Sequence, residues 1–76
     1  MKVQENIDIY EIVSNNIRRY RKIRKLTQQQ LAEKCNFSYG YIRRIESKKL
    51  KKHFSLQTLD IYAKALDIPI VFLFVK

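Results

Sequence analysis

The sequence predicts a small all-α domain. Three observations carry that reading. Apolar residues recur at steps of three and four along most of the chain, the spacing of one face of an α-helix. Ser, Thr, Asn and Asp stand at the edges of these periodic stretches, where helix caps fall. The 76 residues include one Gly and one Pro, too few turn formers for an all-β fold. The length allows one domain, and no repeat, linker or boundary divides it. Residues 1–8 are expected to form an N-terminal arm and residues 9–76 the folded body. So short a chain buries only about 60% of its unfolded surface, so a partner subunit would help its core.

The elements follow in order. From Ile9 to Arg24 the apolar residues are Ile9, Ile12, Val13, Ile17, Tyr20 and Ile23, an amphipathic first helix that Asn6 or Asp8 can cap. Thr27 opens the second helix, and Gln30 three residues on completes a Thr-x-x-Gln capping box. Its short apolar face is Leu31, Ala32 and Cys35, and Asn36 suits the left-handed conformation of a helix end. Ser38 caps a third helix over about Tyr39 to Glu46, with Ile42 and Ile45 inward. Residues 48–54 read as a basic loop. Ser55 caps a fourth helix with Leu56, Leu59, Tyr62, Ala63 and Leu66 on one face, ending at Asp67. Pro69 suits the first turn of a fifth helix. The segment IVFLFV at 70–75 is β-branched and aromatic, which favours a strand; its place after Pro69 favours a short helix, the preferred assignment.

Sixteen Lys or Arg against seven Asp or Glu give a net charge of +9. The charge is concentrated: residues 17–53 hold thirteen basic residues and two acids, +11, and the rest of the chain sums to −2. Such a field suits a polyanionic partner. Cys35 is the one cysteine, so an intrachain disulfide is excluded and a reduced, cytoplasmic setting is the default. With His53 as the one histidine, the usual zinc sites lack ligands. No stretch approaches the roughly 20 apolar residues of a membrane span, and the N-terminus lacks the order of a signal peptide. No nucleophile–base pair and no phosphate-cradling glycine loop is present, so an enzyme is not expected. No cofactor, metal or small-molecule ligand is implied.

Two or three residues separate the second and third helices, which makes a helix-turn-helix. In that motif the second helix enters the DNA major groove with its first residues at the base edges. Here those are Ser38, Tyr39 and Gly40, with Arg43 one turn later. Tyr39 can stack on sugar, meet a thymine methyl or simply cover surface. Gly40 lets the helix approach DNA closely. Arg43 can read a guanine bidentately or bind phosphate.

The run LTQQQLAEKCNFSYGYIRRIESKK, followed by SLQTLDIYAKALDIP, resembles the phage Cro/cI-type helix-turn-helix family of transcriptional regulators. Its small size is also similar to restriction–modification controller proteins and small phage repressors. The resemblance covers roughly residues 12–74 and implies a five-helix, lambda-repressor-like domain that binds double-stranded operator DNA as a homodimer. It implies a phosphate contact for Gln28, a position near the backbone for Arg44, and an ion pair of Arg21 with Glu46 that ties helix one to the end of helix three. Arg21 can also face phosphate. Two departures stand out. The family usually has glycine where this chain has Lys48, so that turn must differ or be strained. The loop before Ser55 is longer and more basic than usual, which adds Lys48, Lys49, Lys51 and Lys52 as phosphate contacts. Cys35 reads as core. His53 adds at most a phosphate contact.

The C-terminal segment is too apolar to leave in water on so small a body. Some of it must finish the core. The remainder, Ile70, Val71, Phe72 and Phe74, forms a two-fold dimer interface. The leading function is therefore a sequence-specific, dimeric transcriptional regulator on a pseudo-palindromic operator. The alternative is an antitoxin-like or anti-repressor interaction module with the same fold.

Overall fold

A computed structural model describes residues 8–49 and 53–76. The expectations for Lys51, Lys52 and residues 1–7 of the arm lie outside that range. Four α-helices come first: α1 Ile9–Ile23, α2 Gln28–Cys35, α3 Tyr39–Glu46 and α4 Leu56–Leu66. A 3-10 helix over Ile70–Phe74 closes the chain. The described residues contain no strand.

Side chains of the expected types start each α-helix. Asp8, assigned to the arm from sequence, caps α1 by accepting from the backbone N–H groups of Tyr10 and Glu11. Thr27 and Gln30 complete the capping box of α2 in both directions. Ser38 and Ser55 each accept from the N–H three residues on. Three helix ends are left-handed: Lys25 after α1, Asn36 after α2 and Asp67 after α4, with φ of 57, 58 and 56°. Each closes with the paired hydrogen bonds of a Schellman motif; after α1 these are Leu26 N to Arg21 O and Lys25 N to Lys22 O. The end of α3 differs. Ser47 is extended, with φ −67° and ψ 138°, and its Oγ accepts from Lys49 N at 3.1 Å. Lys48 is not among the positive-φ residues, so lysine replaces the family glycine through a different turn and without left-handed strain.

The core joins Val13 and Ile17 of α1, Leu31, Ala32 and Cys35 of α2, Ile42 and Ile45 of α3, and Leu59, Tyr62, Ala63 and Leu66 of α4, with Leu73. Burial pushes the Cys35 thiol up to about 11, so it is protonated at neutral pH. Tyr62 is wholly buried, and its hydroxyl lacks a hydrogen-bond partner; desolvation is the main cause that raises its pKa.

Three residues expected to face inward do not. Ile9 and Ile23 stand at the two ends of α1 and Leu56 at the start of α4, and all three are exposed, Leu56 by 72%. Their periodicity is correct, but each stands in a terminal turn that no described element covers. The fifth helix is also tighter than an α-helix. In a 3-10 helix residues three apart eclipse. Leu73 therefore enters the core with Ile70 half-buried beside it, while Val71, Phe72 and Phe74 stay outside. Four of the five residues of this helix, Ile70, Val71, Phe72 and Phe74, are β-branched or aromatic, types that lose side-chain freedom in an α-helix.

Candidate nucleic-acid interface

The α2–α3 connection sets the angle between the two helices. Asn36 turns the chain, Phe37 N–H reaches back to Ala32 O at 2.9 Å, and Ser38 starts the next helix. The Phe37 ring wedges edge-on between Tyr41 and Tyr62, at 5.1 and 5.6 Å. One side of α3, Ile42, Ile45 and Glu46, is buried, with Tyr41 half-buried beside it. The opposite arc carries Tyr39, Gly40, Arg43 and Arg44, all exposed, next to the exposed cap Ser38. Gly40, Arg43, Arg44 and Ser47 line an open depression of about 330 Å³. The Arg43 guanidinium lies 5.6 Å from the centre of the Tyr39 ring, one turn away on the same arc. A Cβ added at Gly40 would meet nothing within 4 Å. The fold itself therefore does not require glycine there.

A polar network fixes the back of α3. Arg21 Nε and Nη2 donate to the two carboxylate oxygens of Glu46, at 2.7 and 2.9 Å. Arg21 Nη1 also donates to Leu26 O at 2.8 Å. The Arg21 side chain is 11% exposed and that of Glu46 2%, so this pair is nearly dry. A two-point arginine–carboxylate pair is the strong kind. Of the two roles expected for Arg21, the geometry displays the tie between helices; little of its guanidinium remains to meet a phosphate. Gln28 is half-buried at the start of α2, and its amide Nε2 donates to Glu46 Oε1 at 3.3 Å. Glu46 thus joins α1, α2 and α3. Lys48 and Lys49 are exposed just beyond α3.

Several of these partners carry no motif. Ser14 Oγ donates to Ile45 O, and Arg18 Nη1 to Glu46 O at 3.2 Å. These carbonyls end α3, where the helix itself supplies no donors. Arg24 Nε and Nη2 donate to Leu66 O and Asp67 O, each at 2.8 Å. Three arginines of the basic stretch therefore bond to the protein's own oxygens. Ser14 and Arg18 stand four apart on one side of α1, and that spacing was their one legible signal. His53 is exposed in the loop and its ring stands edge-on to Tyr10 at 5.2 Å. Among the described residues, no group of His, Cys, Asp and Glu could hold a metal ion, and no helix is long and apolar enough to cross a membrane.

Comparisons with known proteins agree with this geometry. The helix-turn-helix family model matches residues 17–73. The control protein C.SmaI of Serratia marcescens is 44% identical over 61 residues, covering 80% of this chain and 70% of that protein. The immunity repressor protein of Bacillus phage phi105 is 47% identical over 58 residues, which is 76% of this chain and 39% of the repressor. The crystal structure of the restriction-modification controller protein C.Esp1396I superposes with a TM-score of 0.77 at 28% identity, over 88% of this chain and 86% of that one. C.Esp1396I has also been studied as a nucleoprotein complex. By the family match and by these relatives, the chain belongs to the Cro/cI-type helix-turn-helix family of transcriptional regulators.

Proposed function

We propose that this protein is a non-catalytic, cytoplasmic regulator that binds double-stranded DNA sequence-specifically, as a homodimer on a pseudo-palindromic operator. The observation that carries this reading is the outer arc of α3. Ser38, Tyr39, Gly40 and Arg43 are exposed together at its start and first turn, on a helix whose back is held by Glu46. In this reading those four meet base edges. Arg44, Lys48 and Lys49, with Lys51 and Lys52 of the loop, meet phosphates. Gln28 holds Glu46 with its amide and offers phosphate the N-terminal end of α2.

Self-association is supported by a second surface. Val71, Phe72, Phe74 and Val75 are exposed apolar residues on the C-terminal turn. Phe74 also lines an apolar groove of about 190 Å³ with Ile9, Tyr10, Val13, Phe54, Leu56 and Leu59. The three helix-end residues that turned outward therefore include two, Ile9 and Leu56, that extend this apolar surface. A second copy covering it would hold two α3 helices about one DNA turn apart.

A gel-shift titration against salt on an operator selected from random DNA tests the reading. Log affinity should fall with log salt by about 0.9 per neutralised phosphate. The Arg43→Ala variant should relax the choice of one or two bases by roughly 1–3 kcal/mol each. A flat salt response, or a different chain recovered as the protein's stable partner in place of DNA, would favour the interaction-module reading instead.

A further inference from the structure

Asn16 lies in the middle of α1 and is 6% exposed. Its two amide protons are both used. Nδ2 donates to Leu73 O at 2.8 Å and to Val75 O at 2.7 Å. Both acceptors belong to the end of the C-terminal turn.

The placement of Asn16 on α1 gives those bonds a consequence. At 3.6 residues per turn, Ser14, Arg18 and Arg21 fall on one side of the helix, and Asn16 and Tyr20 on the opposite side. The first side holds the end of α3 through Ile45 O, Glu46 O and the Glu46 carboxylate. The second side holds the C-terminal turn through the two Asn16 bonds, and the Tyr20 ring lies 6.1 Å from that of Phe72. Leu73 anchors the turn in the core. One buried leucine is a non-directional anchor; two hydrogen bonds at fixed angles set which way the neighbouring side chains point.

We propose that Asn16 is a positioning residue for self-association, an inference that rests on the homodimer reading above. It clamps the C-terminal turn so that Val71 and Phe74, which align on the 3-10 turn, offer a second copy of this chain one rigid apolar face, with Phe72 held beside the Tyr20 ring. The opposite side of α1 grips α3, so the same helix carries that face in fixed register with the base-reading arc. The occupant of the face is a second copy because the face runs on without a break into the apolar groove lined by Ile9, Leu56 and Phe74, the surface on which the homodimer reading rests.

The test compares the wild type with Asn16→Ala and Asn16→Asp. Alanine favours the middle of a helix, and aspartate keeps the shape while losing the donor. Dimer dissociation is read by sedimentation equilibrium, and DNA binding on a single half-site and on a two-half-site operator. Both variants should raise the dimer dissociation constant by about tenfold or more, because an unclamped turn offers the pairing face only a fraction of the time. Binding to the single half-site should stay within about twofold, while binding to the full operator weakens with the dimer. A dimeric wild type whose dissociation constant neither variant changes overturns the role of Asn16 alone. A wild type that stays monomeric on and off DNA overturns the dimer reading, and this inference with it. Loss of the helical circular-dichroism signal in both variants makes Asn16 a folding residue and overturns the proposal.

Discussion

Gly40 separates what the fold needs from what the partner needs. It sits inside α3, where glycine is less stable than alanine by about 0.5–1 kcal/mol, and a Cβ there would meet nothing of the protein. Gly40→Ala should therefore raise thermal stability by about that amount. If α3 binds DNA as proposed, it should also weaken operator binding by about 1 kcal/mol or more, because the added methyl would enter the space left for the DNA. Calorimetry and gel shift read the two effects separately, and unchanged DNA affinity would remove Gly40 from the interface. Tyr62 is the converse case, a buried group set by packing alone. Its hydroxyl has no hydrogen-bond partner, and leaving such a group buried costs about 1–3 kcal/mol. Tyr62→Phe should be neutral or stabilising by about 1 kcal/mol in a melting experiment. A clear destabilisation would mean that the hydroxyl is satisfied in solution.

Among the elements, α1 has the widest reach, because its polar residues grip α3, the end of α4 and the C-terminal turn. Glu46 is where three helices meet. Glu46→Ala leaves Arg21 largely buried without its partner, and breaking such a pair by removing one side typically costs about 3–5 kcal/mol. Denaturant unfolding should show a loss of that order, and operator affinity should fall with it because the end of α3 loses its tether. A loss below about 1 kcal/mol would mean that the pair behaves as an exposed one. The Arg21–Glu46 pairing was legible in the sequence through a family resemblance. The contacts of Ser14, Asn16 and Arg18 were not. A backbone carbonyl as acceptor leaves no trace in the side chains of the residue that supplies it.

At the scale of the whole molecule, charge and apolar surface are divided. The outer arc of α3 and the lysines after it are cationic, while the apolar surface runs over the C-terminal turn to Ile9 and Leu56. Among the described residues Leu56 is the most exposed of the large apolar ones, at 72%. Leu56→Lys should leave monomer stability within about 0.5 kcal/mol. It should shift the monomer–dimer equilibrium toward monomer by about tenfold or more, as a charge at the core of an interface does. Analytical ultracentrifugation checks this, and an unmoved equilibrium would take Leu56 out of the interface.

Local chemistry by itself determined the helices and their starts. Capping side chains and a period of three to four act within one turn, so Thr27, Ser38 and Ser55 can be read directly from the chain, while the structure chose Asp8 over Asn6 as the cap of α1. The same reach explains the exposed arc of α3, whose inner face needs only Ile42 and Ile45 to be identified. Only the tertiary structure decided which helix ends stay uncovered, and so that Ile9, Ile23 and Leu56 face outward despite correct spacing. It also decided that the last turn is 3-10, with Leu73 buried and Ile70 half-buried beside it. The third decision was which arginines stay home: Arg18, Arg21 and Arg24 find carbonyls or a carboxylate that are distant in sequence and near in space. Periodicity states which residues share a face; what covers that face depends on the lengths and crossings of other elements.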